Sequence, residues 1–252
     1  MTEAQKEEYV RSVGRECRNL GVSVTAGHTG SYPGGGFTVI GSGSMFGFAP
    51  KNGYVTPALA EEGDAVLMTK SAAIEATMTM ALSFPGHLSS RLGAGLTRRA
   101  GSMVRLCTTV KDARAARRIG IGRGGLSSMH DATEGGVLGA LEELSQASGK
   151  AFVVEPLKIP VSEEAGSVCK EFGLDPLLTM AEGALLITCS PSRVPELERR
   201  LSREGLPIAQ IGEVVKGRGL WLSRNGRLGE ARPAGQDRFW AAYDRAVRGR
   251  LK

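Results

Sequence analysis

The segment from Met129 to Gly149, MHDATEGGVLGALEELSQASG, brings together residue types that could do chemistry. It places a histidine, carboxylates, a threonine and two adjacent glycines around the start of an apolar stretch. Glycines in the first turn of a helix leave its free N–H groups unshielded at the positive end of the dipole, which suits an anion such as phosphate. A plain strand-to-helix turn, in which Gly135 and Gly136 only permit close packing, explains the same local pattern equally well.

A helix must position these residues, and the apolar spacing after the glycines predicts one. Apolar residues recur at helical intervals with polar residues on the other side, so the helix should run to about Ala147 and stop near Gly149. These apolar residues are Val137, Leu138, Leu141 and Leu144. Thr133 or Asp131 is expected to cap the start of the helix.

Three other segments contain residues that could contact a ligand. TAGHTGSY places His28 and Thr29 between glycines at the end of a predicted strand, where they could meet a ligand or simply form a turn. DPLLTMAEGALLIT holds Glu182 and Gly183 just before a buried strand, and a tight connection explains this pattern without a ligand. GIGRGG fits G-x-G-x-x-G, but it follows a predicted helix and precedes a strand, so we interpret it as a loop.

Composition and charge narrow the classes of function. The 252 residues are 41% hydrophobic and 23% charged, as in ordinary globular proteins, and suffice for one large or two modest domains. The opening MTEAQKEEYVR is not typical of a signal peptide and no apolar run reaches membrane-spanning length, so we expect a cytoplasmic protein without membrane contact. The net charge of +6 is spread out and aromatic residues are only 5%, so solvated faces and anionic ligands explain it without nucleic acid. The four cysteines have no paired spacing and are expected to be buried thiols.

Strands and helices alternate irregularly, which predicts an α+β fold rather than a strictly parallel doubly wound sheet. A helix is expected from Val10 to Leu20, followed by strands at 22–30 and 37–48. The turn-rich segment 50–63 is the best linker and divides the chain into domains 1–57 and 58–252. Beyond it we predict strands at 64–70, 151–160 and 183–189, helices at 71–84, 110–120, 162–173 and 191–204, and strands joined by turns from 209 onward. Asn225–Gly226 predicts a hairpin turn among these last strands.

Five segments, in this order, resemble the AIR synthase superfamily, which is also called PurM-like. They are GVSVTAGHTG, EEGDAVLMTKSAAIEAT, MHDATEGGVLGALEEL, IPVSEEAGSVCKEFGLDPLLTMAEGALLIT and IAQIGEVVKGRGLWL. The chain is most similar to the AIR synthase-related proteins known as hydrogenase maturation factors of the HypE type. The resemblance covers the chain from about Val10 to Leu222.

The resemblance implies a PurM-like architecture of two domains, with a truncated amino-terminal domain at 1–57 and a layered α/β carboxy-terminal domain at 58–252. It implies that ATP binds with Mg²⁺ and that phosphoryl transfer activates an oxygen of a small-molecule substrate. It also implies a homodimer, or a site that another chain completes.

Matched position by position, His28 and Thr29 fall in the family's Gly-Gly-His-Thr-Glu-like loop. The family's Asp-Pro-Thr-Glu-Gly-Gly-like turn matches Asp131, Thr133, Glu134, Gly135 and Gly136, and Lys70 ends the strand that opens the second domain. The resemblance therefore makes His28 and Asp131 the expected catalytic residues, with Asp131 also a magnesium ligand. It assigns nucleotide binding to Thr29, Lys70, Thr133, Gly135 and Gly136, the glycines through their N–H groups and Lys70 through its ammonium group.

The chain also departs from the family pattern. The family's first strands, with their magnesium-binding aspartates, and its carboxy-terminal cysteine have no counterpart here. Gly30 replaces an expected glutamate, and Ser71, Ala73 and Ala76 stand where glycines are expected. Two classes of function follow: an ATP-dependent enzyme, shortened or completed by another chain, and a non-catalytic protein that binds a ligand or a partner.

Overall fold

The computed structural model of the 252-residue chain describes residues 2–29, 41–231 and 237–251. Contacts divide the chain into two compact units, Met1–Phe48 and Ala49–Lys252. The domain boundary expected between residues 57 and 58 stays a prediction. None of the helices in the described ranges is both long and apolar enough to cross a membrane.

The described part of the first unit contains one helix, α1 (Glu3–Leu20). Thr2 and Gln5 form a capping box at its start, and Gly21 ends it in the left-handed conformation with φ +73°. The strands predicted at 22–30 and 37–48 are wrong for residues 22–29 and 41–48, which have no regular secondary structure. Alternating apolar residues form a strand only beside a pairing partner, and the described part of this unit offers none. The remaining residues of the two predicted strands, 30 and 37–40, lie outside the described residues.

The second unit is built on one seven-stranded sheet. Its strands are β1 (Ala65–Thr69), β2 (Leu126–Ala132), β3 (Ala151–Val154), β4 (Ala184–Cys189), β5 (Ile208–Val215), β6 (Gly219–Arg224) and β7 (Arg227–Ala231). They lie in the order β2-β4-β1-β5-β3-β6-β7, and every neighbouring pair is antiparallel except β3 and β6. The mixed sheet confirms the α+β class over a strictly parallel one.

Eight helices belong to the described part of the second unit: α2 (Ile74–Ser83), α3 (Pro85–Leu92), α4 (Ala94–Ser102), α5 (Val110–Ala116), α6 (Gly136–Ser148), α7 (Glu163–Phe172), α8 (Val194–Arg203) and α9 (Phe239–Arg248). Side chains of α6 pack against Val66 and Met68 of β1. Side chains of α5 and α8 pack against Ala65 and Leu67, which point to the other face of the sheet. Helices α2, α3, α4, α7 and α9 share a third apolar cluster.

Most predicted elements of the second unit are confirmed, but three helices were missed. α3 and α4 carry few apolar residues in clear helical spacing and are fixed by tertiary packing. α9 does show helical spacing, with Phe239, Ala242 and Ala246 buried on one face, and the prediction overlooked it. The hairpin turn is confirmed, since Asn225 and Gly226 have φ +51° and +75° between paired residues of β6 and β7. All four cysteines are free thiols, of which Cys169 and Cys189 are buried.

Candidate functional site

The turn from β2 into α6 contains Gly135 and Gly136, the two glycines whose N–H groups are expected to bind phosphate. Gly135 and Gly136 have φ +77° and +65°, and Gly135 is the N-cap residue without a side-chain cap. The expected cap by Thr133 or Asp131 is therefore wrong. The carbonyl oxygen of Thr133 accepts a hydrogen bond from the N–H of Gly136 at 3.1 Å, and Asp131 stays in β2, paired with Leu185. The extra turn delays the start of the helix beyond the reach of both side chains.

Close packing requires glycine at position 136. A Cβ atom there would lie 2.7 Å from the backbone nitrogen of Thr179 and 2.8 Å from the carbonyl oxygen of Leu177. The N–H of Leu138 donates to the same Leu177 oxygen at 3.1 Å, which holds the two backbones together. Gly136 is thus explained by packing whether or not phosphate binds beside it.

The N–H of Gly135 faces a carboxylate supplied by the chain itself. It donates to Oδ2 of Asp237 at 3.3 Å, while Oδ1 accepts from the Thr179 hydroxyl at 3.0 Å and the Phe239 N–H at 2.8 Å. Asp237 lies 102 residues beyond Gly135 in the chain, so no local pattern could have linked them. The anion site expected at the start of α6 has an internal anion beside it.

Lys70 lies at the end of β1, as predicted, and its ammonium group is engaged within the protein. Only 3% of its side chain is exposed, and Nζ lies 3.0 Å from Oδ1 and 3.1 Å from Oδ2 of Asp112. Nζ also donates to the carbonyl oxygen of Thr108 at 2.8 Å. In this structure the ammonium group therefore binds the segment that leads into α5.

Several carboxylates share one electrostatic environment near the start of α6. Burial raises the pKa of Glu182, and the charges of Asp131 and Glu134 raise it further. Burial also raises the pKa of Glu75 on α2, with added repulsion from Glu182, Glu134 and Asp237. We call Asp131, Glu134, Glu182 and Glu75 the carboxylate group. Within residues 2–29, 41–231 and 237–251, no three histidine, cysteine or acidic side chains converge on one metal position.

Sequence reasoning missed part of this arrangement. Glu75 was not predicted as a site residue, because nothing in its local sequence indicates that its charge lies near those of Glu134 and Glu182. Glu182 was explained as part of a tight connection, and the structure agrees for its neighbour, since a Cβ on Gly183 would collide with the carbonyl oxygen of Leu106. The spacing alone does not reveal that Glu182 also faces other carboxylates.

Two further side chains that could do chemistry, Cys107 and His130, lie near these residues. Burial, with repulsion from Glu75 and Glu182, raises the pKa of Cys107 to about 11, so its sulfur stays a thiol at neutral pH. Nε2 of His130 lies 2.7 Å from Oε2 of Glu143 on α6, which fixes the ring on the helix. Cys107 is therefore not an activated nucleophile, whereas the Glu143 carboxylate holds the His130 ring in one orientation, as a carboxylate does for a catalytic histidine.

The predicted site residues fall into both units. His28 and Thr29 belong to the first unit, where they are exposed in a segment without regular secondary structure. Lys70, Asp131, Thr133, Gly135 and Gly136 belong to the second unit. Gly30, where the family has a glutamate, lies outside the described residues.

Comparisons with known proteins relate the chain to AIR synthase related proteins and to HypE-type proteins. Residues 61–223 match the family described as AIR synthase related protein, C-terminal domain. The chain is 26% identical over 215 residues to carbamoyl dehydratase HypE of Azotobacter vinelandii, and 27% identical over 216 residues to hydrogenase expression/formation protein HupE of Azotobacter chroococcum mcd 1. Each match covers 84% of this chain but 59% of the relative, so the chain spans less than two thirds of their length.

Solved structures show the same fold. E. coli HypE superposes with a TM-score of 0.59 at 25% identity, over 75% of this chain and 55% of that one. AaThiL, complexed with AMPPCP and TMP, superposes with a TM-score of 0.51 at 18% identity, over 71% of this chain and 52% of that one.

Proposed function

The chain belongs to the AIR synthase related proteins through their C-terminal domain, and from this premise we propose that it binds ATP with Mg²⁺ to activate a substrate oxygen by phosphoryl transfer. The two relatives compared above are named as a carbamoyl dehydratase, HypE, and as a hydrogenase expression/formation protein, HupE. AaThiL, which shares the fold, was solved with AMPPCP, an ATP analogue. A cytoplasmic location and a homodimer, or completion by another chain, belong to the same proposal.

The observation that carries the proposal is the carboxylate group beside the start of α6. Burial, and then the charges of its other members, raise the pKa of Glu75 and Glu182, so several negative charges lie close together there. A triphosphate alone would be repelled, whereas a divalent cation would be attracted to both the carboxylates and the phosphates. The charge distribution therefore favours a nucleotide that arrives with its metal ion over a free anion.

The donor set fits Mg²⁺ in its usual mode of binding. Mg²⁺ is held in most phosphate sites by one or two carboxylates together with phosphate oxygens and water, so three converging protein ligands are not required. Asp131 is the accessible donor, with 47% of its side chain exposed. Glu182 lies close enough for the charge of Asp131 to raise its pKa. When bound, the metal ion offsets the charge of the phosphates.

The other site residues would bind and orient the nucleotide. Thr133 and Gly135 lie in the turn before α6, where the threonine hydroxyl, and the Gly135 N–H once Asp237 releases it, would bind phosphate oxygens at the positive end of the helix. Lys70 would act by holding the segment 106–112 in place, because its ammonium group is already bound there. For His28 and Thr29 the proposal keeps the roles that the family's matching loop implies, catalysis for His28 and nucleotide binding for Thr29.

Binding without turnover is the second candidate function. Two groups that would stabilise a transferring phosphoryl group already have partners within the protein, which favours this alternative. The ammonium group of Lys70 pairs with Asp112, and the N–H of Gly135 donates to Asp237. Under this alternative the nucleotide binds weakly and no phosphate is transferred.

Titration calorimetry with ATP, with and without Mg²⁺, tests the proposal on the wild type and Asp131→Asn. Asp131→Asn should lose the magnesium-dependent part of the affinity, about tenfold or 1.4 kcal/mol. Asp244→Asn, an exposed change of the same charge on α9, should bind as the wild type does. Equal heats for wild type and Asp131→Asn, or no heat at millimolar ATP, would refute the site. An assay for phosphate release from ATP distinguishes the two candidate functions, because only an enzyme would release phosphate.

A further inference from the structure

We propose that Asp237 is a built-in competitor for phosphate at the start of α6. The inference rests on the proposed function for the identity of the incoming ligand. It adds a regulatory contact, in which a carboxylate from the segment before α9 must leave before a phosphate oxygen can take its place.

The hydrogen bonds of Asp237 are those that a phosphate oxygen would accept. Its three donors are the backbone N–H groups of Gly135 and Phe239 and the hydroxyl of Thr179. The bond from Gly135 is the longest at 3.3 Å, beyond the usual range for N–H···O bonds, so it is the easiest to exchange. The side chain can therefore release the helix start first, before its bonds to Thr179 and Phe239 also break as the carboxylate turns away.

The charges around Asp237 support this interpretation. Repulsion between Asp237 and Glu75 places the Asp237 carboxylate in the field of the carboxylate group. The Asp237 carboxylate stays beside the start of α6 despite this repulsion because the Thr179 hydroxyl and the Phe239 N–H hold it, with a longer bond from the Gly135 N–H. The same donors are available to a phosphate whose charge is offset by a cation.

Asp237 lies two residues before the first residue of α9, a helix that is held in place by its buried side chains. Phe239, Ala242 and Ala246 are buried in the cluster that α9 shares with α2 and α7. Displacement therefore requires rotation of one side chain, while the helix stays docked. The apparent affinity for phosphate is the intrinsic affinity multiplied by the fraction of molecules in which Asp237 has turned away.

Asp237→Asn tests the competitor directly. The amide oxygen still accepts from Thr179 and Phe239, but the negative charge is gone. We expect the affinity for ATP–Mg²⁺ and for tripolyphosphate to rise about two- to fivefold, as measured by titration calorimetry. Asp244→Asn removes the same charge from an exposed position on α9 and should leave both affinities unchanged.

The outcomes separate this inference from the nucleotide function. Equal affinity in wild type and Asp237→Asn, or an equal gain in Asp244→Asn, overturns the competitor and leaves nucleotide binding intact. Tripolyphosphate binding that improves in Asp237→Asn without any binding of ATP supports the competitor and overturns the nucleotide function. No anion binding by any form overturns both.

A measurement on the wild type keeps the inference testable if Asp237→Asn does not fold. In amide NMR spectra titrated with tripolyphosphate, the resonances of Gly135 and Phe239 should shift together, because both N–H groups change partners when the carboxylate turns away. A shift of Gly135 alone would show that the anion binds beside Asp237 without displacing it, and would overturn the proposal.

Discussion

Two strand-to-helix turns in the second unit reach similar backbone conformations with different residues. The turn from β1 to α2 has φ +61° at Lys70 and +55° at Ala73, whereas the turn from β2 to α6 has φ +77° and +65° at Gly135 and Gly136. The left-handed region costs a residue with a side chain roughly 1–2 kcal/mol, and glycine avoids that cost. One turn therefore tolerates strain that the other avoids.

The surroundings of each turn explain the difference. At Gly136 the backbone of Leu177–Thr179 approaches so closely that a Cβ has no room. At Lys70 the left-handed backbone leads the side chain to Asp112 and Thr108, so the strain is offset by buried polar bonds. Positive φ alone does not demand glycine; a close backbone does.

Lys70→Met should have the largest effect on this comparison. It keeps the backbone strain but leaves Asp112, whose side chain is 1% exposed, buried without its cation. We expect a loss of about 3–5 kcal/mol in the free energy of unfolding, measured by urea denaturation. Lys158→Met breaks an exposed pair with Glu155 and should cost less than about 1 kcal/mol. Similar losses in the two variants would show that Lys70 does not offset the strain of its turn.

Gly136→Ala should come next, because it adds both backbone strain and a collision with the backbone at Thr179. We expect a loss of about 2–4 kcal/mol, of which the φ of +65° contributes roughly 1–2 kcal/mol. Gly135→Ala is the matched control, since its Cβ would make an ordinary 3.6 Å contact, and it should lose only the strain. Equal losses would mean that backbone crowding does not distinguish the two glycines. Urea denaturation measures both.

Ala73→Gly should change stability by less than about 1 kcal/mol. Relief of the φ of +55° favours glycine, but the methyl group of Ala73 is fully buried, and burying a methyl-sized group is worth about 0.8 kcal/mol. Thermal unfolding measures the balance. A gain well above 1 kcal/mol would indicate that strain at the first turn is not offset by packing.

Glu75→Gln should have the smallest effect and tests whether the turns share an electrostatic environment. Burial, then repulsion from Glu182, raises the pKa of Glu75 above its unfolded value, so the native state binds its proton more tightly. The charged form therefore destabilises the fold as pH rises through the raised pKa, and the penalty is absent below the ordinary pKa of glutamate. Glu75→Gln should raise the Tm at neutral pH, with no gain in acid. Glu198→Gln, exposed on α8, is the control, and a lower Tm for Glu75→Gln would refute the shared environment.

Sequence reasoning recovered the features that depend on local chemistry. The strand at β1, helices α6 and α7 and the Asn225–Gly226 turn follow from apolar spacing and turn residues close along the chain. Its errors arise where contacts between residues far apart in the chain determine the local structure. The cap of α6 depends on a turn locked against residues 177–181, and the strands expected before residue 49 lack a partner in the described part of their unit.

The candidate site was predictable as a location but not as a set of contacts. The resemblance singled out the turn from Thr133 to Gly136, yet the partner of Lys70 lies 42 residues away and the partner of Gly135 lies 102 residues away. Such pairs form only when the sheet brings β1, β2 and the helices together. A single sequence carries no local signal for them.

The central place of β1 in the sheet has a consequence for how the chain folds. Thr69 of β1 accepts a hydrogen bond from Leu185 of β4, which is synthesised 116 residues later, and β5 follows later still. At roughly 5–20 residues per second, a ribosome exposes the apolar β1 for on the order of ten seconds before either neighbour exists. Loop closure over such distances also places refolding in the slow, millisecond-to-second range. β1, which is buried at every residue in the finished protein, is thus exposed during translation until β4 and β5 have been made.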